Sequence, residues 1–209
     1  MKFENTQVGN FEGAIRSMRM PLMSHAKSDS YYDENGNYII GEADMDLAKR
    51  LCNGGDSHSK FLRTIYVDTI IKAPSYITAE LDTYKIGTVR NSSSLQHTGA
   101  KKDFTIEDFA YDGETAEELD DLLDTITKVN KYRRLYEETK DYRYFRMMRQ
   151  LMPMGYEYTF SFSTNYTQLH NMWYWRVYHP HRLKEWTVDF AQWIDSLPYA
   201  DELIKFTKE

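Results

Sequence analysis

From residue 156 to residue 163 aromatic and polar residues alternate, which puts Tyr156, Tyr158, Phe160 and Phe162 on one face of a half-buried strand. A strand with a single apolar face is stable only when another layer covers it, so this run commits the chain to a packed sheet. Residues 64–72, rich in β-branched side chains, read as a second strand. The surrounding sequence is helical in pattern. Residues 43–53 form a helix stopped by Gly54-Gly55, and residues 75–85 form another, with Pro74 in the tolerated first turn and Gly87 at its end. Thr115 and Glu118 make a capping box that opens a long helical region, continuing with breaks to Leu151 and ended by Pro153. Helices are also expected over residues 165–176 and about 182–196, parted by Pro180, with Ser196 capping a last turn entered through Pro198. Residues 91–102 read as a polar loop, and residues 1–23 carry no pattern that assigns them. Strands and helices mix without a βαβ rhythm or an internal repeat, which argues for one α+β domain over residues 1–209.

Residues 28–41, SDSYYDENGNYIIG, contain Asn35-Gly36 between two tyrosine-rich runs, a strong short-range hairpin signal. Asp33, Asn35, Gly36 and Glu42 also fall at positions three, five, six and twelve of a calcium loop. Tyr31 stands at position one, where a carboxylate is required, so the hairpin reading prevails.

The chain of 209 residues can bury a sizeable core, and its apolar fraction of 41% predicts that it folds. Its net charge of −6, with scattered basic residues, argues against a nucleic-acid-binding face and leaves room for a local cationic pocket that takes a nucleotide phosphate. One cysteine, Cys52, rules out a disulfide framework; it sits in a helical segment and reads as a packed thiol in a reducing, cytoplasmic setting. No run approaches the ~20 apolar residues that span a bilayer, so the chain is expected to be soluble, with no membrane partner.

Local motifs are sparse: there is no phosphate loop, zinc spacing or serine elbow. His179-Pro180-His181 reads as a helix-breaking surface turn rather than a metal site, and His25 and His97 stand in polar loops. The informative residues are His58 before the first strand, Arg149 four residues before Pro153, and Asn171 and Arg176 on the expected 165–176 helix. Two guanidiniums and an imidazole converging from separate elements suit a planar anion, because guanidinium pairs bidentately with phosphate and carbonyl oxygens. On the residues alone, solvated surface arginines remain the competing reading.

Two segments resemble flavin-dependent thymidylate synthases. HSKFLRTIYVDTIIKAP, residues 58–74, is similar to a family stretch of His, Phe, Glu-His, a strand and Pro, with Leu62-Arg63 in place of Glu-His. RQLMPMGYEYTFSFSTNYTQLHNMWYWR, residues 149–176, places Arg149, Pro153, Thr159, Asn165, Leu169, Asn171 and Arg176 on the family pattern without a gap. The resemblance covers roughly residues 45–95 and 142–203. It implies that family's α+β fold, with a mixed or antiparallel sheet packed by helices. It also implies C5 methylation of dUMP with FAD, NADPH and methylenetetrahydrofolate, in a homotetramer with active sites between subunits. Carried over by position, Arg149 and Arg176 grip the nucleotide, with Arg176 at the pyrimidine carbonyl where negative charge develops; Ser94 adds a substrate contact. His58, Lys85, Asn91 and Asn171 fall at cofactor-binding positions.

The chain departs from that family at its R-H-R signature, where Thr83-Tyr84-Lys85 stand instead. With one inserted residue Asn91 and Ser94 match the loop beyond it, while Ser92 and Gln96 replace its Glu and final Arg; Glu80 replaces the Gln of the preceding R-Q-W. A charge-assisted hydrogen bond contributes about 1.5–3 kcal/mol, so losing two cations lowers pyrophosphate affinity by about two to four decades. Arg90, Lys101 and Lys102 are candidates to compensate, and residues 98–121 read as an insertion beside the site. Three outcomes follow: a divergent methylating enzyme, a nucleotide-binding relative without flavin chemistry, or a dUMP hydroxymethylase. The Trp173-Tyr174-Trp175 run is read either as self-association surface or as core.

Overall fold

The computed structural model describes residues 1–99 and 101–207. Its strands are β1 (Lys2–Gly9), β2 (Tyr31–Tyr32), β3 (Tyr38–Ile39), β4 (Tyr66–Pro74), β5 (Val89–Ser92) and β6 (Glu157–Asn165). Four of them form an antiparallel sheet in the order β1-β4-β6-β5. β4 and β6 pair along their whole length, from Tyr66 opposite Asn165 to Pro74 opposite Glu157. Val67, Thr69, Ile71 and Ala73 lie opposite Thr164, Phe162, Phe160 and Tyr158 on the covered face, which is the alternation read from the sequence.

The helices are α1 (Phe11–Arg19), α2 (Glu42–Asn53), α3 (Ser75–Leu81), α4 (Leu95–Thr98), α5 (Ala116–Thr139), α6 (Tyr142–Leu151), α7 (Tyr166–Met172), α8 (Ala191–Asp195) and α9 (Ala200–Leu203). None of the described helices is long and apolar enough to cross a membrane. The main core joins the sheet face to α1, α2, α7 and the C-terminal helices, and Cys52 is fully buried in it. A smaller cluster joins Leu95, Phe104 and Phe109 to Ile126, Val129, Phe145 and Met148 of the α5–α6 pair.

Several elements differ from the sequence reading. Residues 1–23, left unassigned, supply β1 and α1. The expected loop over residues 91–102 begins inside β5 and continues into α4. The hydrogen bonds of β5 come from the outer edge of β6, so its polar side chains leave no alternation to read. β4 starts two residues later than expected because residues 59–64 close into a 3₁₀ turn. The helix expected to reach residue 85 stops at Leu81, and Gly87, at φ 73°, turns the chain into β5. α7 ends at Met172 and passes into a π-helical turn, Trp173–Val177; a second π-helical turn, Glu185–Phe190, precedes α8. Ser196 caps no helix: its hydroxyl donates to the Trp193 carbonyl at 2.6 Å, and α9 is entered through Tyr199 in the left-handed region. The Thr115–Glu118 capping box is present.

The hairpin forms where the sequence places it, with Tyr32 opposite Tyr38 and Gly36 at φ 80°. Asp33 closes its loop by accepting from the Asn35 and Asn37 amides at 2.9 and 2.7 Å, a structural use of a residue that the calcium reading required as a ligand. Asp44 anchors the hairpin to α2. This fully buried carboxylate accepts from Arg19, from the hydroxyls of Ser28 and Ser30 at 2.6 Å each, and from the Asp29 and Ser30 amides. Asp29 in turn accepts from the amides of Ala43 and Asp44, supplying the cap that Gly41 lacks.

Asn130 of α5 does for residues 101–110 what Asp44 does for the hairpin. Its amide accepts from the Phe104 N–H and donates to the Phe104 carbonyl, both at 2.8 Å. Asn130→Leu is expected to leave two buried backbone groups unpaired, each costing about 1–3 kcal/mol. A lower denaturant midpoint at unchanged slope checks this; an unchanged midpoint would show that water replaces the amide.

Candidate functional site

Arg149 occupies the last turn of α6, where Pro153 stops the helix and leaves the side chain over a cavity of 430 Å³. Arg90 and Ser92, two apart on β5 and therefore on one face, line the same cavity, as do Ser75 and Thr78 of α3 and the ring of Tyr158. Arg90 is held in place: its guanidinium donates to Asp82 at 2.7 Å and lies 5.3 Å over the Phe160 ring. The Arg149 guanidinium has no hydrogen-bond or ion-pair partner among the described residues. One fixed and one unpaired guanidinium, with hydroxyls beside them and an aromatic wall, form a donor set able to pair with an oxyanion.

Arg176 lies on the first π-helical turn and faces α3. Nη1 donates to Glu80 Oε2 at 2.9 Å, Nε donates to the Tyr84 hydroxyl at 3.0 Å, and Nη2 donates to the Thr83 hydroxyl at 3.4 Å. The guanidinium sits 5.4 Å over the Tyr84 ring and 5.8 Å over that of Trp186, whose indole N–H donates to the same Glu80 oxygen at 2.8 Å. Burial raises the pKa of Tyr84, and the adjacent Arg176 opposes that rise only in part. Thr83 and Tyr84 therefore hold Arg176 in this chain. The carboxylate of Glu80 is paired, so it does not repel an anion as an isolated charge would. Arginine carries five N–H donors, and these three contacts leave two for a ligand.

Within one chain Arg149, Arg176 and His58 line three different cavities. Arg176 lines a separate cavity of 260 Å³ with Glu80 and loop 179–182. His58, exposed, lines a third, of 840 Å³, with Arg50, Lys60 and Phe61. α3 borders both arginine cavities, with Ser75 and Thr78 beside Arg149 and Glu80 beside Arg176, while His58 lies on the α1–α2 side. Lys85, Asn91, Ser94 and Asn171 line none of these three cavities. Asn91 falls on the face of β5 opposite Arg90 and Ser92, and Ser94 precedes α4 without capping it. Of the four residues expected to contact FAD, His58 alone lines one of these three cavities. Trp175 and Tyr174 are exposed while Trp173 packs on the core, so that run divides between the two readings. Sequence reading reached Arg90 only as a compensating loop charge and missed Trp186; the two-residue spacing of Arg90 and Ser92 is the signal that a recognised β5 would have exposed.

No family model and no curated protein matches the sequence. Solved structures do. The flavin-dependent thymidylate synthase ThyX of Helicobacter pylori, complexed with FAD and dUMP, aligns over 100% of both chains with a TM-score of 0.76 at 19% identity. A second structure of that enzyme with FAD and dUMP gives 0.75 over 98% of each chain, again at 19% identity. A UMP/dUMP methylase, PolB of Streptomyces cacaoi, bound with 5-Br dUMP, gives 0.62 at 13% identity over 96% of this chain and 90% of that one. The chain has the flavin-dependent thymidylate synthase fold, an α+β arrangement of an antiparallel sheet packed by helices.

Proposed function

We propose that the protein binds a dUMP-like nucleotide and carries out one-carbon chemistry at C5 of its pyrimidine, with methylation as the default outcome. The observation that carries this reading is the unpaired Arg149 beside the fixed Arg90, in a fold whose solved neighbours were crystallised with dUMP or its bromo analogue. Arg149 and Arg90 take the phosphate, with the hydroxyls of Ser75, Thr78 and Ser92 completing its shell. Arg176 offers its two remaining N–H groups to the pyrimidine carbonyl that gains negative charge, an electrostatic contribution made before the reaction starts. Because Arg149 and Arg176 line separate cavities, the site is completed between subunits of a homotetramer, for which exposed Tyr174, Trp175, Tyr178 and Ile86 provide apolar surface.

Reduced FAD, when bound, supplies a hydride, with NADPH as its reductant and methylenetetrahydrofolate as the carbon donor. His58, in its large cavity edged by Lys27, Arg50 and Lys60, fits such an anionic ring system. Lys85, Asn91 and Asn171 do not line that cavity, which supports a flavin site shared between chains. That division favours a second reading, a nucleotide-binding relative without flavin chemistry, since Thr83 and Tyr84 are engaged on Arg176. Residues 1–209 act as one domain in either reading, in a cytoplasmic setting and without nucleic-acid or membrane partners.

Titration with dUMP tests the nucleotide reading. Arg149→Ala is expected to lose about 1.5–3 kcal/mol of binding, roughly one to two decades in Kd. Equal affinity in the variant would remove Arg149 from the site. The visible spectrum after adding FAD and removing the excess separates the two readings: a retained flavin spectrum supports the enzyme, and a colourless protein that still binds dUMP supports the second reading. With a retained flavin, product mass distinguishes a methyl from a hydroxymethyl group.

A further inference from the structure

The chain between the two π-helical turns, loop 179–182, encloses a cavity of 260 Å³ with Glu80, Arg176 and Trp186. π-Helical turns are rare and concentrate at functional sites, and here one stands on each side of a single short loop. The loop is also conformationally unusual: Arg182, a side chain with a Cβ, sits at φ 45°, in the left-handed region normally taken by glycine.

The chemistry of the lining is one-sided. Its only carboxylate, Glu80, accepts from both Arg176 and Trp186 and is thereby neutralised. Arg182 has no hydrogen-bond or ion-pair partner for its guanidinium among the described residues. His179 Nδ1 accepts from the His181 amide at 3.3 Å, which leaves the other ring nitrogen to donate. The two imidazole rings stand 4.9 Å apart, close enough to face one ligand group together. The cavity therefore offers donors from Arg182 and the histidines, beside an Arg176 engaged elsewhere, and no unsatisfied anion among the described lining residues. It is larger than a bare oxyanion needs, and Leu183 lines the remaining volume.

We propose that loop 179–182, through Arg182 and its two histidines, forms a subsite for the oxyanion group of a small organic ligand, a phosphate or a carboxylate. The proposal stands on this cavity and does not require Arg149 to bind the nucleotide. Arg182 and the donating imidazole nitrogens have no free acceptor among the described lining residues, and an oxyanion supplies one to all of them at once.

NMR titration of the imidazole signals with inorganic phosphate at constant ionic strength tests it. The expected result is saturable shifts of His179 and His181, assigned through His179→Asn and His181→Asn, with His25 and His97 unmoved. Arg182→Gln should weaken the response about tenfold or more, by loss of a charge-assisted hydrogen bond. Lys184→Gln, which removes a neighbouring cation paired with Asp112 outside the cavity, should change it less than twofold. Non-saturating shifts, equal shifts at His25 and His97, or equal weakening by Lys184→Gln and Arg182→Gln would each overturn the subsite. Displacement of phosphate by glutarate identifies a carboxylate ligand; displacement by dUMP identifies the nucleotide's own phosphate, which supports the subsite and overturns the assignment of that phosphate to Arg149 and Arg90. Loss of dUMP binding in Arg149→Ala but not in Arg182→Gln keeps the two sites distinguishable.

Discussion

Arg176→Ala is expected to lower turnover of a dUMP-like nucleotide by about 10²–10³-fold, the cost of removing one aimed donor from a site of developing negative charge. The fold should survive, because Arg176 is partly exposed and Glu80 keeps the Trp186 N–H as a partner. Arg176→Lys should recover little of the loss. One ammonium cannot span Glu80, Tyr84 and Thr83 and still present two parallel N–H groups. Glu80→Gln keeps an acceptor for Trp186 and removes the charge that fixes the guanidinium, so a smaller fall in kcat is expected, on the order of tenfold. Single-turnover rates at saturating nucleotide, with melting curves as a control for folding, check all three. Unchanged turnover in Arg176→Ala would remove Arg176 from the chemistry and leave it a packing residue between α3 and the π-helical turn.

The second large effect is on stability. Asp44→Ala removes one partner of a buried ion pair and leaves Arg19, 5% exposed, with a weak contact of 3.4 Å to the Ser24 carbonyl. Breaking such a pair costs about 3–5 kcal/mol, a large part of a typical domain's stability. For a chain of this size that corresponds to a melting point lower by roughly 6–20 °C. The hairpin should detach first, since Ser28, Ser30 and both backbone amides lose their acceptor together. Arg19→Met combined with Asp44→Leu should be milder than either single truncation, because it leaves no uncompensated charge. An additive double variant would show that the two residues act independently. The same carboxylate gives stability a pH dependence. Burial by itself pushes the pKa of Asp44 up, but the hydrogen bonds from Ser28, Ser30 and Arg19, with the Arg19 charge, hold it below the usual carboxylate value. A lowered native pKa means that the stabilisation is complete above the unfolded value of about 3.9. It is lost as pH falls from there through the native pKa. Melting curves between about pH 2 and 6 should therefore converge for wild type and Asp44→Asn at the acid end.

The legible parts of the fold are those that local chemistry dictates. The alternation ending at β6, the Thr115–Glu118 box and the Asn35-Gly36 turn each act within a few residues, and each is present as read. β1 and β5 were illegible because edge strands take their order from a neighbour's backbone rather than from their own side chains. The π-helical turns have no side-chain signature at all. Arg149 and Arg176 could be picked out by spacing against Pro153 and Asn165, but their separation into different cavities depends on the bond between Glu80 and Arg176, which are 96 residues apart. His58, Lys85, Asn91, Ser94 and Asn171 were chosen by position in a pattern; of these, His58 lines a cavity and Asn91 falls on the face of β5 opposite Arg90.

The pairing of β4 with β6 also sets a timetable for synthesis. β1 and β4 can join once the first 74 residues have emerged, but the other edge of β4 waits for a partner whose first residue is Glu157. At about 5–20 residues per second, the ribosome needs roughly 4–20 s to deliver β6. Through that interval Tyr66–Pro74, with its Val67, Ile70 and Ile71, offers an unpaired backbone edge to any other nascent chain. The aspartate and lysine within the strand, Asp68 and Lys72, are the charges that guard it against sticking to copies of itself until its own strand arrives.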